Sequence, residues 1–292
     1  MLRGRFLGVV VCGLAACGVA RAEPITGLVG NNLVQFNSQT PGLIHSSVGI
    51  SGLPAGFSIA GIDYRPADGA LIGVGRSGSN AMTFVINPFS GVATALAPTP
   101  SPFTLNGSRI GIDFNPVPGA LRIVSTADQN LRITAGGGGI VNTDGTLNPG
   151  NPNVVAAAYS NNVPGGVGGQ TTLYVIDSNT DSLYTQGTVN FPPGTSPNTG
   201  TLILVGGLGV DVDELTGFDI SGESGVGFVS ANGFLFTVNL NTGALTPIGA
   251  LAPGQFADIA VTPTFLFPEP MTLALFGGLA VGAIGLARRR RA

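Results

Sequence analysis

Four aspartates recur with the same kinds of neighbours. Asp63 stands in Gly61-Ile62-Asp63-Tyr64-Arg65-Pro66, and Asp113 stands 50 residues later in Gly111-Ile112-Asp113-Phe114-Asn115-Pro116. Each segment is followed by Gly-Ala-Leu, at Gly69 and Gly119. Asp219 in Gly217-Phe218-Asp219-Ile220-Ser221 and Asp258 in Ala257-Asp258-Ile259-Ala260 take the equivalent places, and Ala156 to Ser160 does so without a carboxylate. Carboxylates repeated along one side of a fold can hold Ca²⁺, which takes six to eight oxygen ligands. A pair of them can also act as acid and base on a sugar. The structural alternative is that each bonds backbone amides where its strand leaves the sheet, and this is the favoured reading. Arg109, Arg122 and Arg132 are three of the five arginines between residues 23 and 267. The guanidinium fork matches carboxylate and phosphate oxygens. Asp63, Asp113 and these three arginines are therefore the candidate ligand-binding set, with an anionic saccharide as the ligand class. Internal pairing with Asp113 or Asp128 is the competing use of the arginines.

Other chemistries are excluded or disfavoured by residue type. The 292-residue chain has no Lys and only one His, His45. Lysine Schiff bases, Ser–Lys dyads and P-loop lysines are thereby removed, and so are multi-histidine zinc sites. No Gly-x-Ser-x-Gly elbow accompanies His45, so a serine triad is not expected. Asp177-Ser178-Asn179-Thr180-Asp181 opens like an EF-hand loop. It then has Ser182 where glycine is needed and Thr188 where glutamate is needed, so calcium is rejected there. Asp211-Val212-Asp213-Glu214 reads as a solvated loop. Gly136 to Gly139 lacks the lysine and the helix of a phosphate loop. No catalytic set is assembled, and the reading leans towards a protein that is not an enzyme.

The elements that position these residues are short strands. Apolar runs alternate with Gly, Asn, Asp and Pro turns, and no long stretch has a helical period, so the fold is all-β. Leu173 to Asp181 aligns without a gap with Leu235 to Gly243, and Phe84 to Gly91 and Leu33 to Thr40 are further copies. Each is a strand ending in Asn or Asp, residues that bond their own backbone in turns. Leu131-Arg132-Ile133-Thr134 is a degenerate fifth. Five four-stranded units at spacings of 39 to 61 residues predict a β-propeller of five blades, with six blades of about 41 residues each as the alternative count. The Asp258 strand comes last and would complete the first blade, which removes the exposed edges. A β-sandwich is the alternative architecture.

The two ends read as addresses. In residues 1–22, Arg3 and Arg5 precede an apolar run from Phe6 to Ala16, and Ala20 and Ala22 form a small-x-small cleavage site. This is the layout of a secretory signal peptide. Leu14-Ala15-Ala16-Cys17 also resembles a lipobox, whose cysteine would be lipidated. Both cysteines, Cys12 and Cys17, lie in this segment. At the other end, Pro268-Glu269-Pro270 is followed by seventeen uncharged residues, 271–287, and then by Arg288, Arg289, Arg290 and Arg291. The apolar stretch is at the short limit for a bilayer-spanning helix. The tail, 268–292, resembles a PEP-CTERM sorting signal. The resemblance implies a Gram-negative bacterium, transient passage through the inner membrane, recognition by an exosortase, and delivery to the cell surface or extracellular matrix. A permanent anchor is the alternative.

The region between the signals, 23–267, resembles the DUF4394 family. The two Gly-Ile-Asp segments carry the resemblance, with Leu121-Arg122-Ile123-Val124-Ser125, Gln129-Asn130-Leu131-Arg132, Asp144 to Gly150, Ala156 to Asn162 and Gly206 to Asp211. The family implies no catalytic residue and no ligand. The chain's formal charge of −3 conceals the character of this region, which carries five Arg against fourteen acidic residues, a net −9. Nucleic acid is not an expected partner of such a surface. The expected partners are signal peptidase and exosortase during processing and an extracellular polysaccharide afterwards. No cofactor is expected other than Ca²⁺. The expected role is a non-catalytic binding or scaffolding propeller, with a polysaccharide-acting enzyme and a calcium-dependent adhesion module as alternatives.

Overall fold

A computed structural model describes residues 22–96, 103–134, 138–139 and 141–263. The signal peptide up to Arg21, the sorting tail and its apolar span 271–287, and Gly136 and Gly137 lie outside the described residues. Among the described residues, no helix is long and apolar enough to cross a membrane.

The chain forms five antiparallel sheets arranged as a five-bladed β-propeller. The first blade contains β1 (Pro24–Val29), β2 (Asn32–Asn37) and β3 (Thr40–Gly49). The second contains β4 (Ser58–Tyr64), β5 (Leu71–Ser77), β6 (Asn80–Ile86) and β7 (Ala93–Ala95), with the short β8 (Phe103–Thr104) also paired to β6. The third runs β9 (Ile110–Asn115), β10 (Ala120–Ser125), β11 (Asn130–Ile133) and β12 (Val141–Thr143). The fourth runs β13 (Val154–Tyr159), β14 (Thr171–Asp177), β15 (Ser182–Phe191) and β16 (Leu202–Gly207). The fifth runs β17 (Gly217–Ile220), β18 (Gly227–Ala231), β19 (Phe234–Val238) and β20 (Leu245–Ala250). The last strand, β21 (Asp258–Val261), pairs antiparallel with β1, with Ile25 opposite Val261 and Leu28 opposite Asp258. The C-terminal strand thus closes the first blade, as the sequence predicts.

Burial explains why the strands differ in composition. The innermost strands β21, β4, β9, β13 and β17 lie near the axis, each between its counterparts in the neighbouring blades, and β9, β13 and β17 are buried almost throughout. Both faces of such a strand are covered, so it reads as a continuous apolar run rather than an alternating one. The outermost strands β3, β16 and β20 are more exposed and leave apolar side chains such as Leu43, Ile203, Leu204 and Ile248 open to solvent. One apolar cluster fills each of the five gaps between blades. The cluster between blades three and four contains no phenylalanine.

Close approach at the axis sets the Gly of the Gly-Ile-Asp repeat. A Cβ on Gly111 would lie 2.5 Å from the Ala156 carbonyl carbon and from the Ala157 nitrogen. On Gly217 it would lie 2.7 Å from the Ile259 nitrogen. These are backbone atoms and cannot swing away. The expected result for Gly111→Ala is a loss of about 1–3 kcal/mol in urea unfolding, from overpacking alone. A variant as stable as the parent would show that the inner strands have room to separate.

Turn chemistry follows the repeat. Asn37 Oδ1 accepts from Gln39 N–H, and Asn87 Oδ1 accepts from Phe89 and Ser90 N–H. Asp177 Oδ1 accepts from Asn179 N–H, and Asn239 Oδ1 accepts from Asn241 N–H. Four aligned positions therefore make the same local turn, Asp177 among them, in agreement with a structural rather than calcium-binding role for that loop.

Candidate functional site

An innermost strand is paired on one side only, so half of its N–H groups face the propeller axis with no strand to receive them. Leaving such groups dry and unpaired is costly. The repeated aspartates meet this need across the blade boundaries. Asp63 Oδ2 on β4 accepts from Phe114 N–H on β9 at 2.8 Å. Asp113 Oδ2 on β9 accepts from Tyr159 N–H on β13 at 2.9 Å. Asp219 Oδ2 on β17 accepts from Val261 N–H on β21 at 2.5 Å. In each case the donor is one residue beyond the position that aligns with the aspartate.

Two strands depart from the rule. On β13 the equivalent position is Ala158, and the Ile220 N–H that it would have served is taken by Asp219's own Oδ1 at 2.6 Å. On β21 the equivalent position is Ala260. Asp258 stands two residues earlier, where Oδ2 accepts from Ile62 N–H and Oδ1 from Ile259 N–H, each at 2.9 Å. The expected equivalence of all four aspartates thus holds for Asp63, Asp113 and Asp219 and not for Asp258. The two-residue step keeps the side chain on the same face of the strand, which is why the sequence alignment does not reveal it.

The result is an acidic centre. One carboxylate oxygen from each of Asp63, Asp113 and Asp219 lies within 4.8 Å of the others, an arrangement able to hold a metal ion. The three residues are 2%, 1% and 2% exposed. Burial pushes all of their carboxyls up, since a charge is expensive away from water. For Asp63 and Asp113 the negative charges of the neighbouring aspartates add to this. Asp219 is raised to about 7, held down somewhat by the two backbone N–H groups it accepts from. Asp258 is raised well above the usual carboxylate range, again chiefly by burial. Asp113 Oδ1 is buried and receives no hydrogen bond.

Beside this centre the axis opens into a depression of about 190 Å³ where β4, β17 and β21 end. Glu23, Tyr64, Asn162, Ser221, Glu223 and Thr262 line it. Asn162 Oδ1 is buried without a hydrogen bond, and Glu23 Oε1 accepts from Ser224 Oγ at 2.5 Å. No sequence signal marks this mouth, because its residues come from segments up to 240 positions apart that only the closed ring brings together.

The arginines are elsewhere. Arg122 is 1% exposed, in the gap between blades three and four. Its Nη1 donates to Asn130 Oδ1 at 2.6 Å and to Asp144 Oδ2 at 2.7 Å. Its Nη2 donates to Asn198 Oδ1 at 2.6 Å, and its Nε donates to the Tyr159 hydroxyl at 3.4 Å. Arg132 makes a two-point contact with the same Asp144, which holds that carboxyl below its ordinary range against the effect of its own burial. Internal pairing was expected with Asp113 or Asp128, and the partner is Asp144 instead. Arg109 sits at the start of the third blade, its backbone tied to Thr126. The structure brings Arg122 and Arg132 together, and Asp63 and Asp113 together, but as two separate groups. His45 is exposed on the outer strand β3. Asp213 in the acidic loop accepts from Leu215 N–H and from the Gln255 amide.

Among solved structures, the chain is similar to one from the nidogen/laminin complex, at 11% identity and a TM-score of 0.50, covering 82% of this chain and 98% of that one. A putative 6-phosphogluconolactonase from Bacteroides uniformis matches at 14% identity and a TM-score of 0.41, over 82% of this chain and 70% of that one. A functionally unknown protein from Desulfotomaculum acetoxidans matches at 18% identity and a TM-score of 0.40, over 80% and 68%. At these identities the likeness concerns the fold alone. No curated protein matches the chain. A family model for a domain of unknown function, DUF4394, matches residues 32–260.

Proposed function

Because the chain belongs to the DUF4394 family, whose function is unknown, its role has to be read from its own residues, and we propose an exported, non-catalytic propeller that binds or scaffolds extracellular polysaccharide at the cell surface. The observation that carries this reading is the place where the ring closes. β1 begins at Pro24 and β21 ends at Val261, and Thr262 N–H donates to the Pro24 carbonyl at 2.8 Å. The signal-like segment ends at Ala22 and the sorting-like tail starts at Pro268. Both addresses can therefore be removed without cutting any strand among the described residues, which suits a protein that is delivered and then released as a closed domain.

The side chains support a binding role over catalysis. Asp63 and Asp113 lie too deep for a sugar ring to enter between them. Deleting 268–292 in the native host is expected to strand the protein away from the surface, read by protease shaving of whole cells. The full-length chain is expected to co-sediment with the producer's own exopolysaccharide. Surface delivery without the tail would sink the sorting part of the reading. Release of reducing ends from that polymer would sink the non-catalytic part. A calcium-dependent adhesion module is the second reading, favoured by the convergence of the three buried aspartates.

A further inference from the structure

We propose that Asp63, Asp113 and Asp219 form a site for one calcium ion on the propeller axis, pinning the inner strands of blades two, three and five. The inference deepens the second reading above by naming the ligand, and it requires no adhesive role.

Three observations carry it. The first is spacing. Oxygens held at 2.3–2.6 Å on opposite sides of one calcium stand ~4.6–5.2 Å apart. The three carboxylate oxygens fall within 4.8 Å of one another, close to the ~4.5 Å that three oxygens evenly spread at ~2.6 Å around one calcium would take, so small side-chain adjustments let one ion touch all three. The second is the orphan atom. Asp113 Oδ1 is buried in a residue only 1% exposed and has no hydrogen bond, while Oδ2 of the same carboxylate is spent on Tyr159 N–H. A buried acceptor with no donor calls for a partner that the surrounding side chains do not supply, such as an ion, a water or a proton. The third is charge. The ion pairs of Arg65, Arg122 and Arg132 are made with Asp68 and Asp144, and the charges acting on the axial aspartates are those of one another and of Glu23. A bound divalent cation supplies the missing positive charge. The donor set is all oxygen, which suits a hard cation, and calcium's longer bonds and tolerant geometry suit three strand-held carboxylates better than magnesium's strict octahedron. The competing arrangement is that protons alone neutralise the cluster.

The experiment uses the full-length chain, purified in EDTA and exchanged into metal-free buffer, then titrated calorimetrically with CaCl₂ and, separately, MgCl₂. One calcium per chain is expected, with proton release that shows up as a buffer-dependent heat. Saturating calcium is expected to raise the melting temperature by about 5–10 °C at ~100 times Kd. Asp113→Asn keeps an oxygen for Tyr159 N–H and removes the charge, so it is expected to fold and to bind calcium at least about tenfold more weakly. Asp63→Asn gives the same readout by the same logic with a different backbone partner. Absence of calcium binding to the folded parent chain overturns the proposal in favour of a proton-sharing cluster. So does binding of magnesium alone, or calcium binding that is undiminished in both variants. Because the readout is metal binding, its failure is distinguishable from failure of adhesion, which is measured on the polysaccharide.

Discussion

Arg122→Met is expected to cost about 3–4 kcal/mol of stability, or about 6–16 °C in melting temperature for a domain of this size. The reason lies in what the substitution leaves behind. Methionine fills much of the volume but donates nothing, so Asn130 Oδ1, Asn198 Oδ1 and the Tyr159 hydroxyl lose a donor inside a gap that is otherwise dry. Asp144 retains Arg132, which holds the loss at the lower end of the range for a broken buried pair. The damage is concentrated where blades three and four meet, because Arg122 on β10 reaches Tyr159 of β13 and Asn198 of the Pro197–Thr199 turn, where Asn130 of β11 also bonds Pro197 and Gln186. Arg122→Lys is expected to fall between parent and methionine variant. It preserves the charge but has a single donor head where the fork reaches four acceptors at once. Urea unfolding with an unchanged m-value is the measurement. A methionine variant within about 1 kcal/mol of the parent would mean that the network does not hold the blades together.

Metal-free protein is expected to become less stable as pH rises from about 4 to about 7. An unfolded aspartate releases its proton near 3.8, whereas folded Asp219 keeps it up to about 7. Between those values the folded state binds the extra proton, so each step up in pH favours unfolding. The stabilisation is full below the unfolded value and is lost as pH passes the folded one. For Asp219 alone the difference is on the order of 4 kcal/mol. Asp63, Asp113 and Asp258 act in the same direction, and Glu23, also acidic, faces Asp219. Asp144 and Asp68 are shifted downward and act oppositely, but their effect appears only as pH falls below the ordinary carboxylate range. Urea midpoints measured in EDTA at pH 5 and pH 8 should therefore drop at the higher pH. Asp219→Asn should flatten the difference. A midpoint that rises across this window would show that the axial carboxyls ionise freely.

The local features of this protein are legible from residue order. Asn37, Asn87, Asp177 and Asn239 end their strands in the same turn because each side chain bonds the backbone two residues on, a range any stretch of sequence specifies by itself. Those four turns with the degenerate Leu131–Thr134 copy point to five units, and a last strand without a blade of its own yields the closure onto β1. The Gly-Ile-Asp recurrence likewise marks the inner strands, since glycine and a short acid are needed wherever strands crowd an axis.

The destinations of the polar side chains are not legible in that way. Asp63, Asp113 and Asp219 bond the next inner strand in the ring, 51, 46 and 42 residues away. Asp258 slips by two residues without disturbing any apolar position. Arg122 passes over Asp113 and Asp128, the nearer candidates by repeat logic, for Asp144, Asn198 and Tyr159. Residue order alone determined the strands, their turns and the closing of the ring, because turn bonding and apolar patterning act over a few residues, while the structure decided five blades over six. Only the tertiary structure decided that three acids share one dry centre and that the arginines serve a blade interface. Those partnerships depend on which unpaired N–H groups and which carboxylates the closed ring leaves facing each other away from water.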